Sequence, residues 1–421
     1  MIELIDEKLN NYMHTFIEKI CDDVGPRESG TEQELQAGDI IEQELKQFCD
    51  ETHQEEYVSS PHAFLGGIRY GALIVCVSII LYWMSLLIDL NVIPLPYDYS
   101  GVFLLISIIL IIFTISYFIL EVMKYYETYD FLFPNRTSRN VIGTIEPKGE
   151  IKHTIIFSAH HDSAFEFNTF YYLKRFGQII INVGYIAVGI TLIGILLKFI
   201  FFLLRIELFL LFFVFGIIFI CFTPIVVVYI LFHSYKPVLG AFDNLSGVSI
   251  VLGIGKFLFE HKNDEKIYPK HTRVLLISFA GEEAGLRGAK RYAKAHYEEL
   301  KNNGTIVVNM DGIAKKDTFV ILDKEPGIGT KHDPMIYEPI YKIAREINPK
   351  AKIASLSFGA TDAAAFSEKN IPAASLGGLD LGSELAPYYH TRFDTPDVIE
   401  KEALGQMAEL CLKYLKKLDN E

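Results

Sequence analysis

Five acidic and imidazole side chains lie at positions from which they could bind metal ions. Four come just after apolar, strand-like stretches and the fifth begins a helical pattern; they are His160, Glu283, Asp311 and His390, and at the helix start Asp243. Open α/β sheets bind ligands beyond the carboxyl ends of their strands. A mixed histidine and carboxylate set without thiolates suits zinc, or a similar first-row metal, at a catalytic site that keeps a position open for water.

The number of candidate ligands fits two metal ions. Five ligands with one shared are enough for a pair of ions, and a pair about 3.5 to 4 Å apart can clamp a water and a substrate oxygen together. Two divalent cations also balance three carboxylates and one hydroxide. Asp162, two residues after His160, is placed to hold the imidazole, and Glu282, next to Glu283, is placed to take a proton from the attacking water.

The two glutamates follow an apolar run that predicts a strand over residues 274–280, buried on both faces of a parallel sheet. Gly281 ends this run, and a helical pattern follows the glutamates. A glutamate pair in a loop is by itself usually a solvated surface feature. The functional interpretation of Glu282 and Glu283 therefore depends on the other candidate residues.

The order of elements predicts the fold class. From residue 140 onward strands alternate with helices, which predicts an α/β protein with a largely parallel or mixed sheet sandwiched between helices. Strands are predicted at 56–59, 140–145, 154–158, 274–280, 305–309, 319–322 and 371–376. Helices are predicted at 2–24, from about 31 onward, from the motif at 240–247 to about 260, at 335–347 and at 396–418.

Four uncharged apolar runs predict transmembrane helices, at residues 70–88, 99–120, 176–197 and 208–232. A helix needs about 20 residues to cross a hydrocarbon core about 30 Å thick. Buried core helices would explain one such run, but four of this length predict two inserted transmembrane hairpins. The predicted segments are 1–66, 123–174 and 235–421 for the soluble domain, and 67–122 and 175–234 for the hairpins.

Charge and cysteine usage restrict the partners and the location. The net charge is −13 and no basic cluster is present, which argues against nucleic acid. The five cysteines are scattered and predict no disulfide framework, and the polar, amphipathic composition of residues 1–60 predicts no signal peptide there. Basic residues near the membrane ends are more numerous on the side of the soluble segments, so the positive-inside rule predicts a multi-pass protein with a cytoplasmic catalytic domain.

The candidate residues occur in motifs that resemble the co-catalytic zinc aminopeptidases. This superfamily also holds glutamate carboxypeptidase, the transferrin receptor and glutaminyl cyclase. The motifs are His160 to Ser163, Gly240 to Gly247, Gly281 to Gly288, Met310 to Gly312, and His390-Thr391 with Asp394-Thr395, in the family's order, and Pro26-Arg27 with Gly30 echoes the family's start. Several ordered motifs are far more specific than any one of them.

This resemblance implies a role for each ligand. Asp243 would bridge two Zn²⁺ ions, with Glu283 and His390 completing one site and His160 and Asp311 completing the other. Glu282 would be the general base, and a cis peptide bond would follow Asp243. The family's aspartate-histidine pair reads Asp362-Ala363 here, which leaves the substrate role of that position open.

The predicted function is hydrolysis of N-terminal residues from peptides near the membrane surface, with peptides and the lipid bilayer as partners. One alternative is a glutaminyl cyclase, which the continuation from Asn244 to Gly247 and the absence of tryptophan near His390 disfavour. A metal-free receptor module is disfavoured because all five ligands are present. A transporter is disfavoured because the four spans are uncharged.

Overall fold

The computed structural model describes residues 5–357, 359–378 and 387–421. Its internal contacts divide the chain into two units. We call Met1–Pro61, Phe133–Glu166 and Tyr235–Glu421 the sheet unit, and His62–Leu132 with Phe167–Ser234 the apolar unit.

The strands, in chain order, are β1 (Glu51–Ser59), β2 (Arg136–Ile145), β3 (His153–His160), β4 (Phe165–Phe167), β5 (His233–Pro237), β6 (Thr272–Phe279), β7 (Ile306–Asp311), β8 (Val320–Glu325), β9 (Thr330–Lys331), β10 (Lys352–Ser355) and β11 (Ala373–Gly377). The helices are α1 (Glu7–Asp23), α2 (Glu32–Leu45), α3 (His62–Leu65), α4 (Gly67–Asp89), α5 (Asp98–Tyr117), α6 (Asn168–Leu173), α7 (Arg175–Leu203), α8 (Phe209–Ile230), α9 (Ser246–Glu260), α10 (Arg287–Ala295), α11 (Tyr297–Asn302), α12 (Pro334–Ile347), α13 (Asp362–Ser367) and α14 (Lys401–Asp419).

The main sheet is mixed. Its strand order is β1-β2-β6-β3-β7-β11-β8-β10, with β9 beside β8. Strands β6, β3, β7 and β11 run parallel, whereas β2 is antiparallel to both β6 and β1, and β8 is antiparallel to β11. The predicted α/β fold with a mixed sheet is confirmed, but the expectation of a largely parallel sheet is wrong at both sides of the parallel block.

Helices cover both faces of the sheet. Alternate residues of β3 show this arrangement, because Ile155 and Phe157 pack with the core formed by α1, α9, α12 and α14, while Ile156 packs with α10 and α13 on the other face. This alternation is the two-residue period of a strand. Since both faces are covered, polar side chains collect beyond the strand ends.

The apolar unit contains α4, α5, α7 and α8, which pack around a core including Val75, Tyr82, Ile108 and Phe219. Helix α7 continues to Leu203, six residues beyond the predicted end of the third apolar run. Lys198 therefore lies inside a helix.

Lys198 is buried, and its Nζ lies 2.6 Å from Asp89 Oδ2 and 2.6 Å from Ser85 Oγ, both on α4. The predicted run, 176–197, is uncharged, but the helix that contains it extends further and includes this lysine. The Asp89 carboxylate compensates the charge of this buried lysine.

Five helices among the described residues are long and apolar enough to cross a membrane. They include the four predicted ones, whose most apolar windows are 22% to 50% buried. The fifth, Ala241–Glu260, is 89% buried in the same measure and packs in the core of the sheet unit. Its burial identifies it as a core helix rather than a fifth candidate span.

Candidate metal centre

Three of the predicted ligands come from neighbouring parallel strands. His160 ends β3, Asp311 ends β7, and Glu283 follows β6 after a turn at Gly281. The register aligns His160 with Phe279 of β6, so the ends of β3 and β6 meet at one edge. Asp243 and His390 reach this edge from loops, the first before α9 and the second after β11.

The five predicted ligands lie together, with Asp243 in the middle. Its Oδ1 lies 3.2 Å from His160 Nε2, and its Oδ2 lies 3.1 Å from His390 Nε2. Glu283 Oε1 is 3.4 Å from the His390 nitrogen, and Asp311 Oδ1 is 3.8 Å from the His160 nitrogen. The two carboxylate oxygens of Asp243 thus face different imidazoles.

Glu282 lies in the same cluster. Its Oε2 is 3.8 Å from His160 Nε2. Two sets of ligand atoms each fall within 4.8 Å of one another, His160 with Asp243 and Glu283, and His160 with Glu282 and Asp311.

These side chains fit divalent cations by two observations. His160 Nε2 and Glu283 Oε1 are buried and make no hydrogen bond within the described part of the chain. Burial also raises the pKa of Glu282 well above its usual value, an effect that His160 opposes and that the Glu283 and Asp311 carboxylates reinforce. A cation among these groups would satisfy the donor atoms and stabilise the ionised carboxylates.

The pKa values of the two imidazoles are raised as well, by the carboxylates around them. Burial alone would lower the pKa of His390, but Glu283 and Asp243 raise it to about 10. The same competition, with Glu282 as the main opposing charge, raises the pKa of His160 well above its usual value. The cluster therefore favours positive charge at both ends of Asp243.

Asp162 connects two of the ligand loops. Its Oδ1 accepts the backbone N–H of Glu282 at 3.1 Å, and its Oδ2 accepts that of Glu283 at 3.0 Å and the Ser29 hydroxyl at 2.6 Å. His160 Nδ1 lies 3.2 Å from the Asp162 carbonyl oxygen and 3.4 Å from Oδ1. Ser29 was not among the predicted site residues, because a serine two residues before a predicted helix carries no motif of its own.

Arg27 connects the loops that follow His160 and precede Asp243. The buried guanidinium donates to the carbonyl oxygens of His161 at 2.7 Å, Leu239 at 2.9 Å and Gly240 at 3.2 Å. The first carbonyl follows His160, and the other two precede Asp243. The sequence identified Pro26-Arg27 as part of the resemblance, but only the fold shows which loops the arginine joins.

The loop carrying Asp243 is fixed by Asp394 and Asn244. The Asp394 carboxylate accepts the N–H groups of Phe242 at 2.5 Å and Asp243 at 3.2 Å. Asn244 Nδ2 donates to the Met310 carbonyl oxygen at 2.9 Å, next to Asp311. The expected cis peptide bond between Asp243 and Asn244 is present.

Two other candidate residues lie outside the cluster. His161 is buried with Nδ1 2.9 Å from Ser278 Oγ, and burial lowers its pKa to about 4, as expected for a histidine that packs rather than binds metal. Asp362 begins α13 and is buried; its carboxylate oxygens make no hydrogen bond with the described residues, and burial raises its pKa well above the usual value.

The mixed sheet between helix layers, with histidines and carboxylates beyond the ends of its parallel strands, defines a fold of the zinc aminopeptidase type. Sequence comparison agrees over the second half of the chain, where residues 226–415 match the profile of peptidase family M28. This stretch includes Asp243, Glu282, Glu283, Asp311 and His390, but not His160.

A curated relative and several solved structures are similar. Aminopeptidase YwaD of Bacillus subtilis is 28% identical over 192 residues, which are 44% of this chain and 39% of that protein. BSAP, a zinc aminopeptidase from Bacillus subtilis, has a TM-score of 0.54 at 14% identity, covering 97% of this chain and 95% of its own. A glutaminyl cyclase of Fimbriiglobus ruber has a TM-score of 0.55 at 12% identity, covering 97% and 94%. At these identities the solved structures support the fold alone.

Proposed function

We propose that this chain is a membrane-bound metal-dependent aminopeptidase with two zinc ions. The observation that carries the proposal is the position of Asp243, whose two carboxylate oxygens each face a different imidazole at 3.2 and 3.1 Å. A single carboxylate that faces two ligand groups could be shared by a pair of neighbouring cations. The match to peptidase family M28 and the similarity to aminopeptidases support peptides as substrates.

Each cluster residue has a proposed role. His160 and Asp311 would hold one ion, Glu283 and His390 the other, and Asp243 both. When bound, the ions would supply Lewis acidity for the scissile carbonyl and lower the pKa of a water between them. Glu282 lies beside these ligands and would accept the proton of the attacking water, then deliver it to the leaving amine.

The apolar unit supports membrane attachment. The outward faces of its helices expose large apolar side chains, including Ile80, Ile109, Ile186 and Leu210. Four such helices would present a continuous apolar surface to water, whereas a bilayer would cover it. We propose four membrane spans, with the sheet unit on the cytoplasmic side and substrates presented near the bilayer. Equal cleavage of a soluble peptide and its lipid-anchored counterpart by the bilayer-embedded protein would argue against presentation of substrates near the bilayer.

A glutaminyl cyclase is the second candidate, since a solved cyclase shares the fold over nearly the whole chain. That reaction closes an N-terminal glutaminyl residue and releases ammonia, whereas a peptidase adds water and releases an amino acid. The products therefore distinguish the two functions directly.

The deciding experiment is metal analysis of the purified full-length protein, together with assays on aminoacyl and N-terminal glutaminyl peptides. We expect two zinc ions per chain and release of N-terminal residues. Replacing Glu282 with Gln should abolish turnover while metal remains bound, because Glu282 is not required as a ligand. The matched control is Glu298→Gln on α11, outside the metal centre, which should leave activity unchanged.

Each contrary outcome points elsewhere. Pyroglutamate formation with one bound metal would replace the peptidase with the cyclase. Absence of metal from protein prepared with zinc would exclude both reactions. Full hydrolysis by the Glu282→Gln variant would remove Glu282 from the mechanism.

A further inference from the structure

The turn that presents His390 has an unusual backbone conformation. His390 has a φ angle of 49°, in the left-handed region that non-glycine residues rarely occupy. Such a conformation persists only where surrounding contacts hold it. Thr391 supplies two, since its N–H donates to the Tyr388 carbonyl oxygen at 3.1 Å and its hydroxyl to that of Pro387 at 2.9 Å.

A further contact comes from a distant part of the sheet unit. Arg392 donates to Glu166 from Nε at 2.7 Å, from Nη2 at 2.8 Å and from its backbone N–H at 3.2 Å. Glu166 lies in β4, 226 residues away in sequence. Its side chain is 6% exposed, whereas that of Arg392 is 55% exposed.

This pair differs from an ordinary surface ion pair in two respects. The two side-chain bonds form a bidentate fork, which fixes direction as well as distance. The third bond holds the main chain itself, two residues after His390, so the carboxylate of Glu166 restrains the backbone of the turn. Because the carboxylate is buried, water competes with these bonds less than it does at an exposed pair.

We propose that Glu166 is a positioning residue for the metal centre. By holding the backbone and the side chain of Arg392, it keeps the turn in the conformation that directs His390 towards Asp243 and Glu283. Glu166 is also the last residue of its segment before the chain enters the apolar unit at Phe167. The start of the second apolar hairpin is thus covalently joined to a residue that restrains a metal ligand.

This inference rests on the proposed metal function, and its test separates the two. Zinc affinity is measured by chelator competition on the full-length protein in detergent, for the parent, Glu166→Ala, Arg392→Ala and the exchanged pair Glu166→Arg with Arg392→Glu. Positioning partners of metal ligands typically change affinity by about tenfold or more. We expect about a tenfold loss at one of two zinc sites in both single variants.

The exchanged pair should recover part of this loss, because it restores the side-chain contact but not the acceptor for the backbone N–H. Glu146→Ala is the matched control. Glu146 forms a similar bidentate pair with Arg273, at 3.1 and 3.0 Å, outside the metal centre. The zinc affinity of the Glu146→Ala variant should equal that of the parent.

Thermal unfolding without zinc shows whether a variant is only less stable. Parent-like zinc affinity in Glu166→Ala would overturn the inference while leaving the proposed function intact. An equal loss of zinc affinity in Glu146→Ala, or no recovery of affinity in the exchanged pair, would also overturn the inference. A parent protein that binds no zinc would overturn both.

Discussion

At the scale of single residues, the predicted ligands depend on side chains that touch no ligand atom of the cluster. Arg27 and Asp394 act on backbone groups beside His160 and Asp243, and Asp162 acts on the N–H groups of both glutamates. Buried backbone donors and acceptors of this kind must be paired, because an unpaired one costs about 1–3 kcal/mol. The geometry of the centre is therefore distributed over its supporting residues.

Asp162 provides the clearest prediction at this scale. Replacing it with Asn should lower zinc affinity and activity by about 10- to 100-fold, because an amide has one acceptor oxygen for the N–H groups of Glu282 and Glu283 and carries no charge. The measurement is zinc competition together with steady-state kinetics. Ser29→Ala, which removes only one donor to Asp162, should have a smaller effect. Parent values for both variants would show that Asp162 does not position the centre.

At the scale of elements, the site depends on how closely α10 approaches the end of β6. The Gly288 N–H donates to the Ala280 carbonyl oxygen at 3.1 Å, and the Gly288 carbonyl oxygen accepts from Asn140 at 3.0 Å. This close approach closes the turn that carries Glu282 and Glu283.

The substitution Gly288→Ala tests whether α10 must lie this close to the end of β6. A Cβ there would lie 2.2 Å from the Ala280 oxygen and 2.3 Å from Asn140 Oδ1, so strand or helix must move. We expect a loss of about 1–3 kcal/mol in the free energy of unfolding and weaker zinc binding. Gly189→Ala in α7 is the control, since its Cβ would meet no atom within 4 Å. Equal stabilities would contradict the close packing.

At the scale of the whole molecule, the distribution of basic residues predicts how the proposed four-span protein is oriented. Arg69, Lys124, Lys174, Arg175 and Lys236 flank the ends nearest the soluble segments, and Lys198 and Arg205 lie towards the opposite ends. The positive-inside rule counts basic residues and gives acidic residues little weight, so five against two favours the proposed cytoplasmic position of the sheet unit.

Cysteine labelling in intact cells checks this orientation. Val92→Cys, in the exposed turn between α4 and α5, should react with a membrane-impermeant maleimide, whereas Lys416→Cys on α14 should react only after lysis. The unsubstituted chain supplies the background from its own cysteines. The reverse pattern would place the sheet unit outside, and labelling of both positions in intact cells would contradict the four-span arrangement.

Local sequence patterns were enough to predict most element types and the candidate ligands. The apolar runs before His160, Glu283 and Asp311 predict parallel strands, whose carboxyl ends meet at one edge of the sheet. Burial on both faces excludes polar residues until each strand ends, so the first polar residues mark that edge. The resemblance placed Asp243 and His390 with them and anticipated the cis peptide bond. Four long apolar runs identified the helices of the apolar unit, since hydropathy and length are local properties.

Only the tertiary structure decided the relations between distant segments. The antiparallel pairing of β2 with β6 and of β8 with β11 depends on strand order, which local patterns do not encode. The contacts of Arg27, Ser29 and Glu166 likewise join segments up to 226 residues apart. The Lys198 side chain can be buried because Asp89 lies beside it, and that proximity exists only after the helices pack. The spacing of apolar residues predicts which face of a segment is buried, whereas the fold determines which group pairs with a buried polar side chain.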